Sequence, residues 1–231
     1  FIIDSRNPIA RAKNLVPGMI GIAVAVLSSA FTKKLVYKIS KINMPGLGLL
    51  VAALLGMMVA GVFYYLLSDL EMSGQSRDKV LQKTESIFAR MQWITACFLA
   101  FAHGSNDVAN AIGPAAAVIS ALTTQSVEDQ SHIPVWLLLM GGFGIIVGLA
   151  AFGRKVIQTV GQEITEITPS RGFAAEFGAS LTILFGTIMG LPLSTTHVLV
   201  GSVIGVGFAR GISGIDVVVI KRIAKSWVVT M

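Results

Sequence analysis

Two short polar stretches interrupt otherwise apolar sequence and hold most of the chemistry the chain offers. The first reads His103-Gly104-Ser105-Asn106-Asp107-Val108-Ala109-Asn110. On a helix, Asn106 and Asn110 share a face at i,i+4, and Asp107 and Asn110 are neighbours at i,i+3. Ser105 or Asn106 suits the N-cap of a new helix starting after Gly104. Ala109, Ala111, Gly113 and Ala115 are small, so a carboxylate and two amides project from a helix that can be approached closely. A carboxylate at membrane depth needs a cation or a proton as partner. The plainer reading is that Asn106 and Asp107 only cap a half-helix.

The second stretch reads Gly190-Leu191-Pro192-Leu193-Ser194-Thr195-Thr196-His197. Pro192 ends or redirects the helix before it. Ser194 suits the N-cap of the apolar run that begins near Val198. Free N–H groups of that first turn, the hydroxyls of Ser194, Thr195 and Thr196, and about half a positive charge from the helix dipole would hold an oxyanion. Neither stretch contains Lys or Arg, so such an anion would be bound without a fixed cation and could leave again. A simple Pro-Ser helix start is the alternative.

Other reactive residues are weaker pointers. Glu176 lies among apolar or small neighbours; it either lines the same cavity or snorkels to an interface near Arg171. His103 and His197 could carry protons, but a lone His in an apolar setting is usually a satisfied structural group. No His, Cys, Asp or Glu has metal-ligand spacing. A membrane hydrolase using His103, Asp107 and His197 lacks an activated nucleophile. Gly142, Gly144 and Gly148 do not form a dinucleotide fingerprint. Cys97 is the one cysteine, so the chain forms no internal disulfide; it reads as a buried, inert thiol.

The elements that must position these groups are membrane helices. Of 231 residues, 54% are hydrophobic and 13% charged, half the charge of an ordinary soluble domain. Such a chain cannot cover a water-facing surface, which makes lipid its solvent. The net charge of +6 sits in short connectors between apolar runs, as in membrane loops, and excludes a nucleic-acid face. Apolar runs cover 15–32, 46–67, 134–152, 172–189 and 198–208, with an interrupted run over 87–122. Residues 154–170 carry Val156, Val160, Ile164 and Ile167 at helical spacing. Gly144/Gly148, Gly186/Gly190 and Gly201/Gly205 read as close helix contacts. The organisation is residues 1–86, N-terminal spans and a polar connector, then 87–231 with both polar stretches. The loop 123–132 lacks Lys and Arg and goes outside; 153–171 is positive and goes inside. Connectors 33–45 and 68–90 are both positive yet flank one span, which leaves their sides open. The chain starts at Phe1 and reaches Met231 within a fresh apolar stretch, so it reads as a piece of a longer protein. Interrupted apolar segments of this kind point to a transporter binding site. A non-transporting membrane receptor would not need the cost of polar breaks at membrane depth.

The run Ala102-His103-Gly104-Ser105-Asn106-Asp107-Val108-Ala109-Asn110-Ala111-Ile112-Gly113-Pro114 resembles a signature of the inorganic phosphate transporter (PiT) family. Residues 191–201 resemble its second signature, and 168–176 match the segment between them. The resemblance implies an all-α, polytopic transmembrane protein with broken, re-entrant-type half-helices. It implies one of two inverted repeats plus preceding helices, the C-terminal half of a longer protein. The activity implied is cation-coupled symport of inorganic phosphate, with Na+ or H+ as coupling ion and no other cofactor. Sulfate is the rival anion on the same fold. By resemblance Ser105, Asn106, Asp107, Asn110, Ser194, Thr195 and Thr196 help bind phosphate and cation, and Glu176 matches an acidic position tied to transport. The partners implied are phosphate, the lipid bilayer of a cell membrane and the N-terminal repeat of the same protein, with room for a homo-oligomer.

Overall fold

The computed structural model describes residues 8–40, 45–68, 76–124, 133–158, 164, 167–209, 211 and 216–230. Among them every regular element is helical: α1 (Pro8–Ser40), α2 (Pro45–Ser68), α3 (Arg77–Asp107), a π-helical turn (Val108–Ile112), α4 (Gly113–Thr124), α5 (Val135–Gln158), α6 (Pro169–Ile188), α7 (Thr195–Phe208) and α8 (Val217–Thr230). The chain divides into two compact units, Phe1–Arg90 and Met91–Met231. The loop expected outside, 123–132, lies mostly beyond the described residues.

In the first unit, α1 packs on α2 through a backbone-level approach of Gly21 and Gly56. A Cβ on Gly56 would sit 2.5 Å from the Gly21 carbonyl oxygen and 2.8 Å from Ala25 Cβ. Only glycine permits that distance, and close packing is what joins helices where burial from water is no driving force. The outer face of α2 exposes Leu50, Leu54, Met57, Met58 and Tyr65. At 24 residues, α2 is about 36 Å long, enough for the roughly 30 Å hydrocarbon core.

In the second unit, α5 is also long enough to span and is apolar all round; Leu137 and Gly153 are its buried residues. Its N-terminal half meets the π-helical turn and α4 through Ile112, Ala116 and Leu137, and Gly141 makes room for the Ile112 side chain. A second cluster joins Ile164, Ala175, Val200, Val203 and Val219, tying α6, α7 and α8 together. Asp216 starts α8 by accepting from the Val218 and Val219 N–H groups, while its own N–H reaches the Ile164 carbonyl. Among the described residues, three helices are long and apolar enough to cross a membrane: Pro8–Val26, Gly46–Tyr65 and Val135–Gln158. The chain is a multi-pass membrane segment.

Several expectations change. The amphipathic helix over 154–170 does not form as one element. α5 ends at Gln158, Ile164 is a buried bend residue and α6 starts at Pro169, because Ile164 is drawn into the α6–α8 cluster. Added Cβ atoms at Gly144, Gly148, Gly201 and Gly205 would meet open space, so these pairs make no close helix contact among the described residues. Cys97 is exposed, with Trp93 and Phe101 on the same stripe of α3. In a membrane an exposed face is as apolar as a buried one, so composition does not reveal which way a thiol points.

Candidate functional site

The first polar stretch is not the start of a new helix. α3 runs unbroken through Gly104, Ser105 and Asn106 to Asp107, and Ser105 Oγ donates back to the Ala102 carbonyl at 2.9 Å instead of capping. The irregularity comes one residue later, as the π-helical turn Val108–Ile112. Its cause lies in Pro114, which has no N–H to give the Asn110 carbonyl and whose ring would press on it. Widening the helix by one residue relieves that conflict, and such turns are common at functional sites.

The second stretch is a true break. α6 ends in a paired-bond cap: Gly190 N–H reaches Thr187 O at 3.1 Å and Leu191 N–H reaches Gly186 O at 2.9 Å. The motif requires a left-handed residue, supplied by Gly190 at φ +71°. The helix therefore ends at Ile188, ahead of Pro192, which does not itself stop it. Gly186 leaves space for Leu193, which folds back over it. Ser194 then caps α7, as its position before the apolar run implies. Its Oγ accepts the His197 N–H at 3.4 Å and contacts His197 Nδ1 at 2.5 Å. The His197 ring lies against Trp227 of α8, centroids 3.9 Å apart.

The two stretches meet. Asn106 Nδ2 and Asn110 Nδ2 both donate to the Leu193 carbonyl, at 2.9 and 3.0 Å. Asn106 is 1% exposed, and its Oδ1 accepts from Thr187 Oγ1 at 3.4 Å. Its amide is thus spent on holding the α6–α7 loop, whereas Asn110 is exposed. His103 joins the same group, with Nδ1 2.9 Å from Thr195 Oγ1 and Nε2 3.3 Å from Asp107 Oδ2. A cavity of about 360 Å³ is lined by Asn106, Asn110, Pro114, Thr187, Gly190, Leu191 and Pro192. Ser194 and Thr195 flank the carbonyl on which the amides converge. Thr196 follows, exposed, on the first turn of α7.

Glu176 stands apart. It is half-buried and accepts from Thr95 Oγ1 at 2.5 Å. Thr95–Glu176 and Asn106–Thr187 have the same 81-residue offset, so α3 and α6 run parallel. The two links lie 11 residues apart, or about 16 Å along the axis. Glu176 therefore does not line the cavity; it lies five residues, or about 7.5 Å, along α6 from Arg171. Residue types alone did not single out Thr187, the Leu193 carbonyl or Thr95, and they favoured a merely structural His103. A threonine one turn before a helix-ending glycine is too common a signal to find such a partner.

The sequence profile of the phosphate transporter family matches residues 4–231. A relative from Haemophilus influenzae, provisionally named a phosphate permease, is 39% identical across all of this chain and 55% of its own length. The chloroplastic inorganic phosphate transporter 2-1 of Arabidopsis thaliana is 50% identical over 65% of this chain and 26% of its own. A solved structure described as the sodium-dependent phosphate transporter superposes with a TM-score of 0.80 at 37% identity. It is matched over 97% of this chain and 54% of that one. The chain spans about half the length of the bacterial relative and of the solved structure and less of the chloroplastic one, and these relatives are named as transporters and permeases, not as enzymes. The chain belongs to the phosphate transporter family.

Proposed function

We propose that the protein carrying this chain moves inorganic phosphate across a membrane together with sodium. The observation that carries this reading is the meeting of Asn106 and Asn110 on the Leu193 carbonyl, which brings a carboxylate-bearing helix against the capped first turn of α7. The first intrahelical bond of α7 is Val198 N–H to Ser194 O, so the Thr195 and Thr196 N–H groups have no acceptor within the helix. They offer phosphate oxygens two donors at the positive end of a helix. The hydroxyls of Ser194, Thr195 and Thr196 complete that side. Asp107 holds the cation, with the Asn110 side-chain oxygen one turn on as a neutral ligand, while Asn106 positions the loop and Ser105, two residues before Asp107 on the same helix, faces away from it. Glu176 on Thr95 is a second carboxylate open to a cation. The solved relative is described as sodium-dependent, which supports sodium over a proton. Alternating access would come from this half working against a second, inverted repeat around the shared site.

The test is Asp107→Asn in the complete protein. The variant should insert into the membrane and lose sodium-driven phosphate uptake. Uptake at the normal rate would reject the assignment of Asp107 to the cation.

A further inference from the structure

We infer that His103 sets the preference of this site for phosphate over sulfate by fixing Thr195 as a hydrogen-bond acceptor. The inference rests on the phosphate reading above and extends it to a residue outside the binding set.

Protons can be placed along one chain of contacts, Asp107 Oδ2 to His103 Nε2 at 3.3 Å and His103 Nδ1 to Thr195 Oγ1 at 2.9 Å. An ionised carboxylate only accepts, so Nε2 of the imidazole must carry the hydrogen in that contact. In a neutral ring the other nitrogen, Nδ1, is then an acceptor. With the ring neutral and its hydrogen on Nε2, the state on which the inference is built, Thr195 donates to Nδ1. A hydroxyl has one hydrogen and two lone pairs, and here the hydrogen is spent on His103. What Thr195 offers to anything else is a lone pair.

That changes the chemistry of the anion side. Phosphate near neutral pH always carries at least one P–OH and can donate to Thr195, whereas sulfate carries no hydrogen. Sulfate would set an oxygen lone pair against another, with the neighbouring N–H groups unable to compensate at that position. A site that reads a hydroxyl through a committed acceptor discriminates strongly against the analogue that lacks it. The neighbouring Ser194 is engaged within its own turn, where its Oγ accepts the His197 N–H and lies 2.5 Å from His197 Nδ1, so the anion-facing contrast falls on Thr195.

The experiment uses the complete protein in liposomes. It measures the concentrations of unlabelled sulfate and of unlabelled phosphate that halve uptake of labelled phosphate. The sulfate-to-phosphate ratio should fall roughly tenfold or more in His103→Ala and in Thr195→Val, and persist in Thr195→Ser, which keeps the hydroxyl. A purely structural role for His103 would lower uptake and leave the ratio unchanged. Where uptake is too weak, displacement of labelled phosphate from purified protein reads the same ratio. An unchanged ratio in His103→Ala by either measurement overturns the inference. Failure of the unmodified protein to take up or bind phosphate would instead overturn the functional reading on which it rests.

Discussion

Asn106 is where a single atom change should do most damage to the meeting of the two motifs. Its Nδ2 donates to Leu193 O at 2.9 Å and its side chain is buried. Asn106→Ala removes this bond, worth about 1 kcal/mol net. The 3.4 Å contact from Thr187 adds little, since Thr187 also donates to Ile183 O at 2.8 Å. Leu193 O keeps Asn110 as a donor, so no carbonyl is orphaned. The expected cost of the alanine is therefore about 1–2 kcal/mol, including the lost side-chain contacts. Asn106→Asp keeps the shape but sets a carboxylate oxygen against the Leu193 carbonyl with no hydrogen between them. A half-satisfied buried charge should cost about 3 kcal/mol or more. Hydrogen exchange of residues 189–198 in the purified complete protein reads both effects. The alanine should speed exchange of the Leu191 and Val198 amides roughly 5–30-fold, and the aspartate more. Equal exchange in all three proteins, or a milder effect from the aspartate, would refute the claim that this amide clamps the loop.

Further expectations follow from the same geometry. Gly190→Ala must hold φ +71° with a Cβ present and should destabilise the loop by about 1 kcal/mol, seen as faster exchange at the same amides. Gly56→Val should force α1 and α2 apart, since the new Cβ would lie 2.5 Å from the Gly21 carbonyl; a lowered thermal midpoint in detergent checks it. Asp216→Ala should cost about 1 kcal/mol by removing the cap of α8, and Asp216→Asn should recover most of it in the same melt.

How much was legible in the sequence depends on the range of the interaction. The Ser194 cap could be read because a serine ahead of an apolar run acts on its own next residues. The spans α2 and α5 could be read because each is apolar over the thickness of a bilayer. Gly104-Ser105-Asn106 misled for the opposite reason. Asn106 has the chemistry of a cap, but its amide is engaged 87 residues away, so the helix continues through it. The widening after Asp107 was foreshadowed by Pro114, whose effect falls one turn upstream. Glycine spacing showed where helices could approach, not whether a neighbour came: Gly21 and Gly56 touch, whereas Gly144 and Gly148 meet open space. The role of His103 was hidden because its two partners lie on opposite sides of the ring, one of them 92 residues distant.

The central claim is tested most directly by labelled phosphate uptake into liposomes holding the complete protein, under a sodium gradient, a proton gradient or neither. Uptake should follow the sodium gradient. Uptake indifferent to sodium, or none from protein shown to be inserted and folded, would contradict the claim.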